Sequence, residues 1–453
     1  MNPEYMRRAI ELAKRGEGRV SPNPLVGCVV VKDEKVIAQG WHDHYGGFHA
    51  ERNALTGVPR DVTEGADLYV TLEPCCHHGK TPPCTDIIIE KGIKRVFVGS
   101  DDPNPLVAGG GFAALKAVGI EVRTHVLKDE CDSINEVFFH YISTKTPFVV
   151  MKYAMTLDGK INLGDRFTSD VSDGSPLWTV GEDTEEKKTA GSGGVRITGD
   201  EAQAHVHLLR KRYSSIMVGV GTVLADDPML NYRQEVLTGF GAGSVSEALS
   251  SEDEVSSQAG VGVGPDPGEI LPEAGVSDRV EFEADFDYNP TRIIVDSHLR
   301  TPVGSRIVQT AKDIPTIIAY VDTEMRGQAS SGVGNVSASD RMSALAEAGV
   351  RLMPVESDGR GHVSLSDLLK KLGADGIDSI LVEGGSSLHG SFMDNRLINR
   401  VYAYISPRLF GGQMSLSPVG GIGVADADEA MRLADVEMLH LGDDVCITGK
   451  TIW

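Results

Sequence analysis

The feature that most narrows the possible folds is a crowd of soft-metal ligands between Phe48 and Cys84. FHAERNA (48–54) supplies His49, and EPCCHHGKTPPC (73–84) supplies Cys75, Cys76, His77, His78 and Cys84. One tetrahedral ion uses three or four of these. The flanking patterns are those of alternating strands and helices. His49 opens the helix-like HAERNALTG (49–57), Cys75 follows the strand-like DLYVTLEP (67–74), and Cys84 immediately precedes the helix-like TDIIIEKG (85–92). A thiolate is favoured at that last position by the positive end of the helix dipole.

His49 and Glu51 sit two apart at a helix start, so one side chain can reach a metal while the other reaches whatever the metal binds. Three nitrogen and sulfur ligands leave a fourth tetrahedral position open to water, as in catalytic rather than structural zinc sites. Glu51 then serves as a proton shuttle. Two alternatives compete: a closed structural zinc site using four of the ligands, and a dithiol pair Cys75–Cys76. Vicinal cysteines bridge only with backbone strain, and neither alternative gives Glu51 a task.

The same alternation continues on both sides of the cluster. VGCVVV (26–31) and KVIAQGW (35–41) read as a hairpin, and a helix over 5–15, the strand RVFVGS (95–100), a helix over 111–118, the strand IEVRTHV (120–126) and a helix over 130–143 complete a first layered α/β series. Thr144–Pro147 is the expected junction. A second series follows: strands at 148–156, 214–221, 291–297, 315–321, 378–385 and 400–407, with helices at 200–213, 365–371 and 387–397. At 453 residues two domains are expected, 1–145 and 147–453, the second interrupted by polar insertions at 164–194 and 234–288.

The net charge of −22 argues against a nucleic-acid or anionic-membrane partner. Much of it is local, because 234–290 holds thirteen acids against the single Arg279. With no apolar run of 18 residues and no basic-then-apolar leader, the expected location is the cytoplasm. Six cysteines are too few for a disulfide framework, and Cys28, Cys131 and Cys446 read as packing residues.

H-x-E followed by P-C-x-x-C marks zinc nucleobase deaminases; here eight residues separate Cys75 from Cys84. Taken with SPNPLVGCVVVKDEKVIAQGWHDHYGGFHAE (21–51) and DDPNP (101–105), the long loop resembles the deaminase domain of the RibD family of bifunctional riboflavin-biosynthesis enzymes. The resemblance implies a cytidine-deaminase-like three-layer α/β domain. His49, Cys75 and Cys84 would bind zinc, Glu51 would shuttle protons, and Asn23, His42, His77 and Lys80 would hold a pyrimidine bearing a ribose phosphate.

MKYAMTLDGKI (151–161), GTVLADDPMLNYR (221–233), IIVDSHLRTP (293–302) and LVEGGSSLHGSF (381–392) each place charge or glycine at a strand end, where open α/β sheets bind ligands. They resemble the reductase domain of the same family, which implies a dihydrofolate-reductase-like α/β fold and NADPH. Lys152, Arg210, Leu230, Arg233 and Glu383 would then surround substrate. Ala154, Thr222, Asp226, Ser297 and the turn Gly385, Ser386, Ser387, Leu388, His389, Gly390, Ser391 would contact cofactor. Lys152 and Asp226 would be catalytic. Where the family carries Ser-x-Trp-Ile-Thr this chain reads GVRIT, with Gly194 and Arg196 in place of the serine and tryptophan, and Arg196 is assigned to the cofactor. The resemblance also implies a homo-oligomer. The rival reading is a deaminase of another nucleobase fused to an unrelated reductase.

Overall fold

The computed structural model describes residues 2–78, 82–104, 107–163, 196–233, 236, 289–322 and 338–453. The expected insertions at 164–194 and 234–288, and Lys80 and Gly194, lie outside those residues, apart from Val236.

The first series forms β1 (Gly27–Lys32), β2 (Lys35–Trp41), β3 (Asp67–Leu72), β4 (Arg95–Ser100) and β5 (Glu121–Arg123). Around them run α1 (Glu4–Lys14), α2 (Ala50–Leu55), α3 (Arg60–Thr63), α4 (Cys84–Glu90), α5 (Gly110–Ala117), α6 (Lys128–Ser133) and α7 (Glu136–Thr144). The strand order is β2-β1-β3-β4-β5, antiparallel on both sides of β1 and parallel from β3 to β5. Period-two alternation buries both faces. Cys28, Val30, Leu68, Val70, Val96 and Val98 pack against α2, α4, α5 and α7, while Val29, Val31, Tyr69 and Phe97 pack against α1 and α6. The result is three layers. Gly40 of β2 lets α2 lie directly on the sheet, because a Cβ there would stand 2.5 Å from the Ala54 nitrogen.

The helix expected over 130–143 is two helices. Asn135, between α6 and α7, leaves helical geometry, and its side chain bonds both the amide and the carbonyl of Leu25 at 2.8 and 2.9 Å. That side chain is committed to a distant loop.

The second series forms β6 (Phe148–Thr156), β7 (Ser215–Gly219), β8 (Thr291–Val295), β9 (Thr316–Val321), β10 (Arg351–Val355), β11 (Ser379–Val382), β12 (Arg400–Ser406), β13 (Arg432–Leu441) and β14 (Asp444–Ile452). Its helices are α8 (Asp200–Arg212), α9 (Val220–Asp226), α10 (Arg306–Gln309), α11 (Ala338–Glu347), α12 (Leu365–Ala374) and α13 (Ser386–Asp394). The nine strands run β10-β9-β8-β7-β11-β6-β12-β14-β13, parallel except where β14 pairs with β12 and β13. Val150, Ile216, Val218, Ile294 and Leu381 face α8 and α9; Met151, Met217, Ile293, Ile380 and Val382 face α12 and α13. The strand expected over 214–221 stops at Gly219, which caps α9. A continuous apolar run does not tell strand from helix.

Side chains join the two sheets' layers. Arg400 of β12 makes a bidentate pair with Glu136 of α7 at 2.9 Å, both nearly buried, and the Tyr141 hydroxyl donates to the Gly373 carbonyl at 2.9 Å. Ser21 donates to Asp378 at 2.6 Å.

Candidate functional site

The first centre forms at the ends of β3, α2 and α4. Gly40 seats α2, so its capping residue His49 and its first-turn Glu51 turn towards the end of β3. Arg52, one residue on, donates to the carbonyls of Pro82 and Pro83 and so fixes the approach to Cys84. The Cys75 carbonyl accepts the Thr85 amide at 3.2 Å, and the Cys75 sulfur accepts the Cys84 amide at 3.3 Å. His49 Nδ1 lies 3.4 Å from each of the two sulfurs.

His49, Cys75 and Cys84 are therefore convergent, with ligand atoms all within 4.8 Å of one another. Hydrogen bonding from Cys84, then His49, holds the Cys75 thiol down to about 4 against its burial. One imidazole, one ready thiolate and a second thiol fit zinc, and among the described residues no fourth side chain joins the group. Cys76 stands outside it. Glu51 is 3% exposed, and burial, then the charge of Cys75, raises its carboxyl above the usual range.

The predicted substrate residues border this cluster. His42 Nδ1 lies 2.9 Å from the Phe48 carbonyl, which leaves Nε2 to accept from the Asn23 amide at 3.1 Å. The His42 and His49 rings meet edge-on at 5.5 Å. His77 Nδ1 is buried and lacks a partner among the described residues, as suits a group that awaits a ligand. Two acids were not singled out from sequence. Glu73 accepts the amides of Gly109 and Gly111 and so ties α5 to the cysteine loop. Asp102, raised to about 6 by burial, feels the charges of Glu73, Cys75 and His77. EPCC and DDPNP held that signal.

The second centre lies at the C-terminal ends of β6, β7 and β11. Arg210 of α8 grips Glu383 with two bonds of 2.7 and 2.8 Å, and Lys152 of β6 stands 3.9 Å from the same carboxylate. All three are nearly buried. Although burial opposes it, Arg210 and then Lys152 hold Glu383 down to about 2. Burial lowers Lys152, partly offset by Glu383. The Lys152 ammonium lies 5.7 Å from the Tyr404 ring centre.

Beside this triad is a cavity of about 520 Å³ lined by Ala154, Arg196, His207, Asp226 and Arg233. Arg196 pairs there with Asp200. His207, pushed down to about 4 by burial and by Arg210 and Arg233, accepts the Arg233 amide. Leu230 is buried in the core and is not among the residues that line the cavity.

A cleft of about 1380 Å³ adjoins it, lined by Thr222, Ser297, Gly385, Ser386, Ser387, Leu388 and Ser391. Asp226 lines both. His389 and Gly390 turn inward: His389 lies 2.9 Å from the Pro418 carbonyl and 3.2 Å from that of Val382, and a Cβ on Gly390 would meet Gly420 at 2.3 Å. A dinucleotide fits this chemistry, with amides and hydroxyls at the start of α13 for its phosphates. His298, Arg300, Arg360 and His362 also line the cleft, and the sequence motifs did not assign them.

Known proteins carry the same pattern. Residues 147–447 match the RibD C-terminal domain, and residues 1–100 match the cytidine and deoxycytidylate deaminase zinc-binding region. The chain is 41% identical to the riboflavin biosynthesis protein RibD of Actinobacillus pleuropneumoniae, over 98% of this chain and 94% of that one. Acinetobacter baumannii RibD superposes with a TM-score of 0.70 at 27% identity, covering 100% of this chain and 99% of that one. The Thermotoga maritima diaminohydroxyphosphoribosylaminopyrimidine deaminase/5-amino-6-(5-phosphoribosylamino)uracil reductase superposes with a TM-score of 0.68 at 31% identity, covering 99% and 98%. A deaminase-like zinc domain and a dihydrofolate-reductase-like domain are thus joined in one chain, and the protein belongs to the RibD family of bifunctional riboflavin-biosynthesis enzymes, which use zinc and NADPH.

Proposed function

We propose that residues 1–145 deaminate 2,5-diamino-6-(5-phosphoribosylamino)pyrimidin-4(3H)-one, and that residues 147–453 reduce the ribosyl chain of the resulting 5-amino-6-(5-phosphoribosylamino)uracil to ribityl. The observation that carries the reading is the buried Glu51 beside the convergent His49, Cys75 and Cys84, far along the chain from the Lys152–Glu383–Arg210 triad.

His49, Cys75 and Cys84 would hold zinc, which would supply the Lewis acidity that makes water a nucleophile near neutral pH. Glu51 takes the proton from that water as its oxygen adds to the amino-bearing pyrimidine carbon. Its raised affinity for protons lets it hold that proton and pass it to the ring nitrogen; it then takes the second proton from the added hydroxyl as the carbonyl forms and hands it to the departing amine, so that ammonia leaves. Asn23 and His42 orient the base, while His77 and Lys80 take the ribose phosphate.

In the second half, Thr222, Ser297 and the turn Gly385–Ser387 of the larger cleft would hold NADPH, which would supply hydride for C1 of the opened ribose. Lys152, anchored by Glu383, orients that carbon. Asp226 lines both cavities, and partial burial raises its carboxyl. It gives the one proton consumed to the ribose oxygen freed on opening. Arg233 offers a cation to the substrate phosphate.

All six cysteines are free thiols, which suits a reducing cytoplasm. Val436 and Met438, exposed on the edge strand β13, support association with a second copy. Glu51→Gln tests the reading: zinc stays bound, ammonia release falls by about 10³, and NADPH oxidation on the deaminated substrate continues. Ammonia release at the wild-type rate would exclude the proton-shuttle role.

A further inference from the structure

One buried carboxylate has no part in either reaction. Asp378 is 4% exposed and stands where the two sheets' layers meet. Its backbone carbonyl accepts the Phe148 amide at 2.7 Å, which fixes it at the start of β6 and β11. Its Oδ1 accepts the hydroxyls of Ser214 and Ser379 at 2.6 and 2.8 Å, and its Oδ2 accepts the Ser21 hydroxyl at 2.6 Å. An ionised carboxylate only accepts, so it can receive three hydroxyls at once, and such bonds are short and strong.

Ser21 belongs to the loop between α1 and β1 that carries Asn23. The loop's other end is held from within, since the Asn135 side chain bonds both backbone groups of Leu25. Asn23 lies between these two pins and donates to His42 Nε2. A physical chain therefore runs from Asp378 through Ser21 and Asn23 to His42, whose other ring nitrogen meets the Phe48 carbonyl next to His49.

We propose that Asp378 is a positioning residue for deamination: from the reductase part of the chain it holds the loop that presents Asn23 to the base. The deaminase pocket is thereby completed by the other half of the protein. This rests on the reading of Asn23 as a substrate ligand. Asp378 is remote from the reductase chemistry, because it precedes β11 while Glu383 follows it, about 16 Å along an extended strand. The Arg400–Glu136 and Tyr141–Gly373 contacts keep the halves together without it.

The test uses the full chain and four single variants, Ser21→Ala, Asp378→Ala, Ser214→Ala and Asn23→Ala, with the Ser21→Ala/Asp378→Ala double variant. Ser21→Ala and Asp378→Ala are expected to raise the deaminase KM about tenfold, and the double variant to do no more than Asp378→Ala alone. Zinc content and kcat/KM for NADPH oxidation on the deaminated substrate stay at wild-type values in both, and Ser214→Ala leaves both activities unchanged. Wild-type KM in Ser21→Ala and Asp378→Ala, with a raised KM in Asn23→Ala, overturns the proposal and leaves the role of Asn23 intact. Wild-type KM in Asn23→Ala as well removes both. If Asp378→Ala loses both activities and thermal stability together while Ser21→Ala behaves as wild type, Asp378 is only structural and the proposal fails.

Discussion

The two centres differ in how far the chain must travel to build them. The deaminase centre takes its donors from His49 to Cys84, a span bounded by two helix starts and one strand end, so local pattern and chemistry coincide. The reductase centre takes Lys152 from β6, Arg210 from α8, Asp226 from α9 and Glu383 from beyond β11. Only the parallel sheet brings these together. The first site is a cluster of uncommon residue types, whereas the second is made of common charged residues whose burial and pairing give them character. A donor cluster announces itself in sequence; a buried ion network does so only after folding.

The largest effect that would sharpen this contrast is loss of Glu383. Glu383→Gln leaves Arg210 and Lys152 as buried charges without a carboxylate, which costs about 3–5 kcal/mol. NADPH oxidation is expected to fall by at least about 10², while deamination persists at a temperature where the variant stays folded. Equal loss of both activities in a folded variant would erase the distinction between the sites.

Acid gives a somewhat smaller effect. The folded carboxyl of Glu383 titrates at about 2, below the 4.5 of the free group. Its contribution to stability is therefore present above about pH 4.5 and is lost as the pH falls from there towards 2. That loss is on the order of 3 kcal/mol. Urea unfolding at pH 5 and pH 3 should show wild type losing more stability than Glu383→Gln. An equal loss would mean that the network does not hold the carboxylate ionised.

The smallest expected effect concerns cofactor choice. Arg300 and Arg360 line the same cleft, where a 2′-phosphate would meet cationic donors. Arg300→Ala and Arg360→Ala are each expected to lower kcat/KM for NADPH about tenfold and to leave that for NADH unchanged. An equal fall for both cofactors would assign these arginines to something other than the extra phosphate.

Much of this was readable in advance where one side chain answers to its neighbours in sequence. The two α/β series and the turn that opens α13 follow from periodicity and caps, while donor type narrowed the metal ligands and the family resemblance singled out His49, Cys75 and Cys84. Other features depend on partners far away. Asn135 breaks an expected helix because its amide serves Leu25, and His207 acquires its character from Arg210 and Arg233. The strand expected through Gly221 becomes α9 after Gly219, since an apolar run satisfies either form. The hairpin of β13 and β14 was not anticipated, because β13 is largely exposed and leaves little apolar alternation to read. His389 and Gly390, grouped with the cofactor turn, lie on the inward side of the helix it opens, a distinction set by helical phase.

The central claim is that one chain carries two chemically separate centres, only one of which depends on metal. Its most direct test is to strip zinc from the full chain with a chelator and to assay both reactions, each on its own substrate. The account predicts that ammonia release is abolished and returns with added zinc, while NADPH oxidation on the deaminated substrate proceeds at the undepleted rate. Loss of both activities in protein that remains folded, or survival of deamination without zinc, would contradict it.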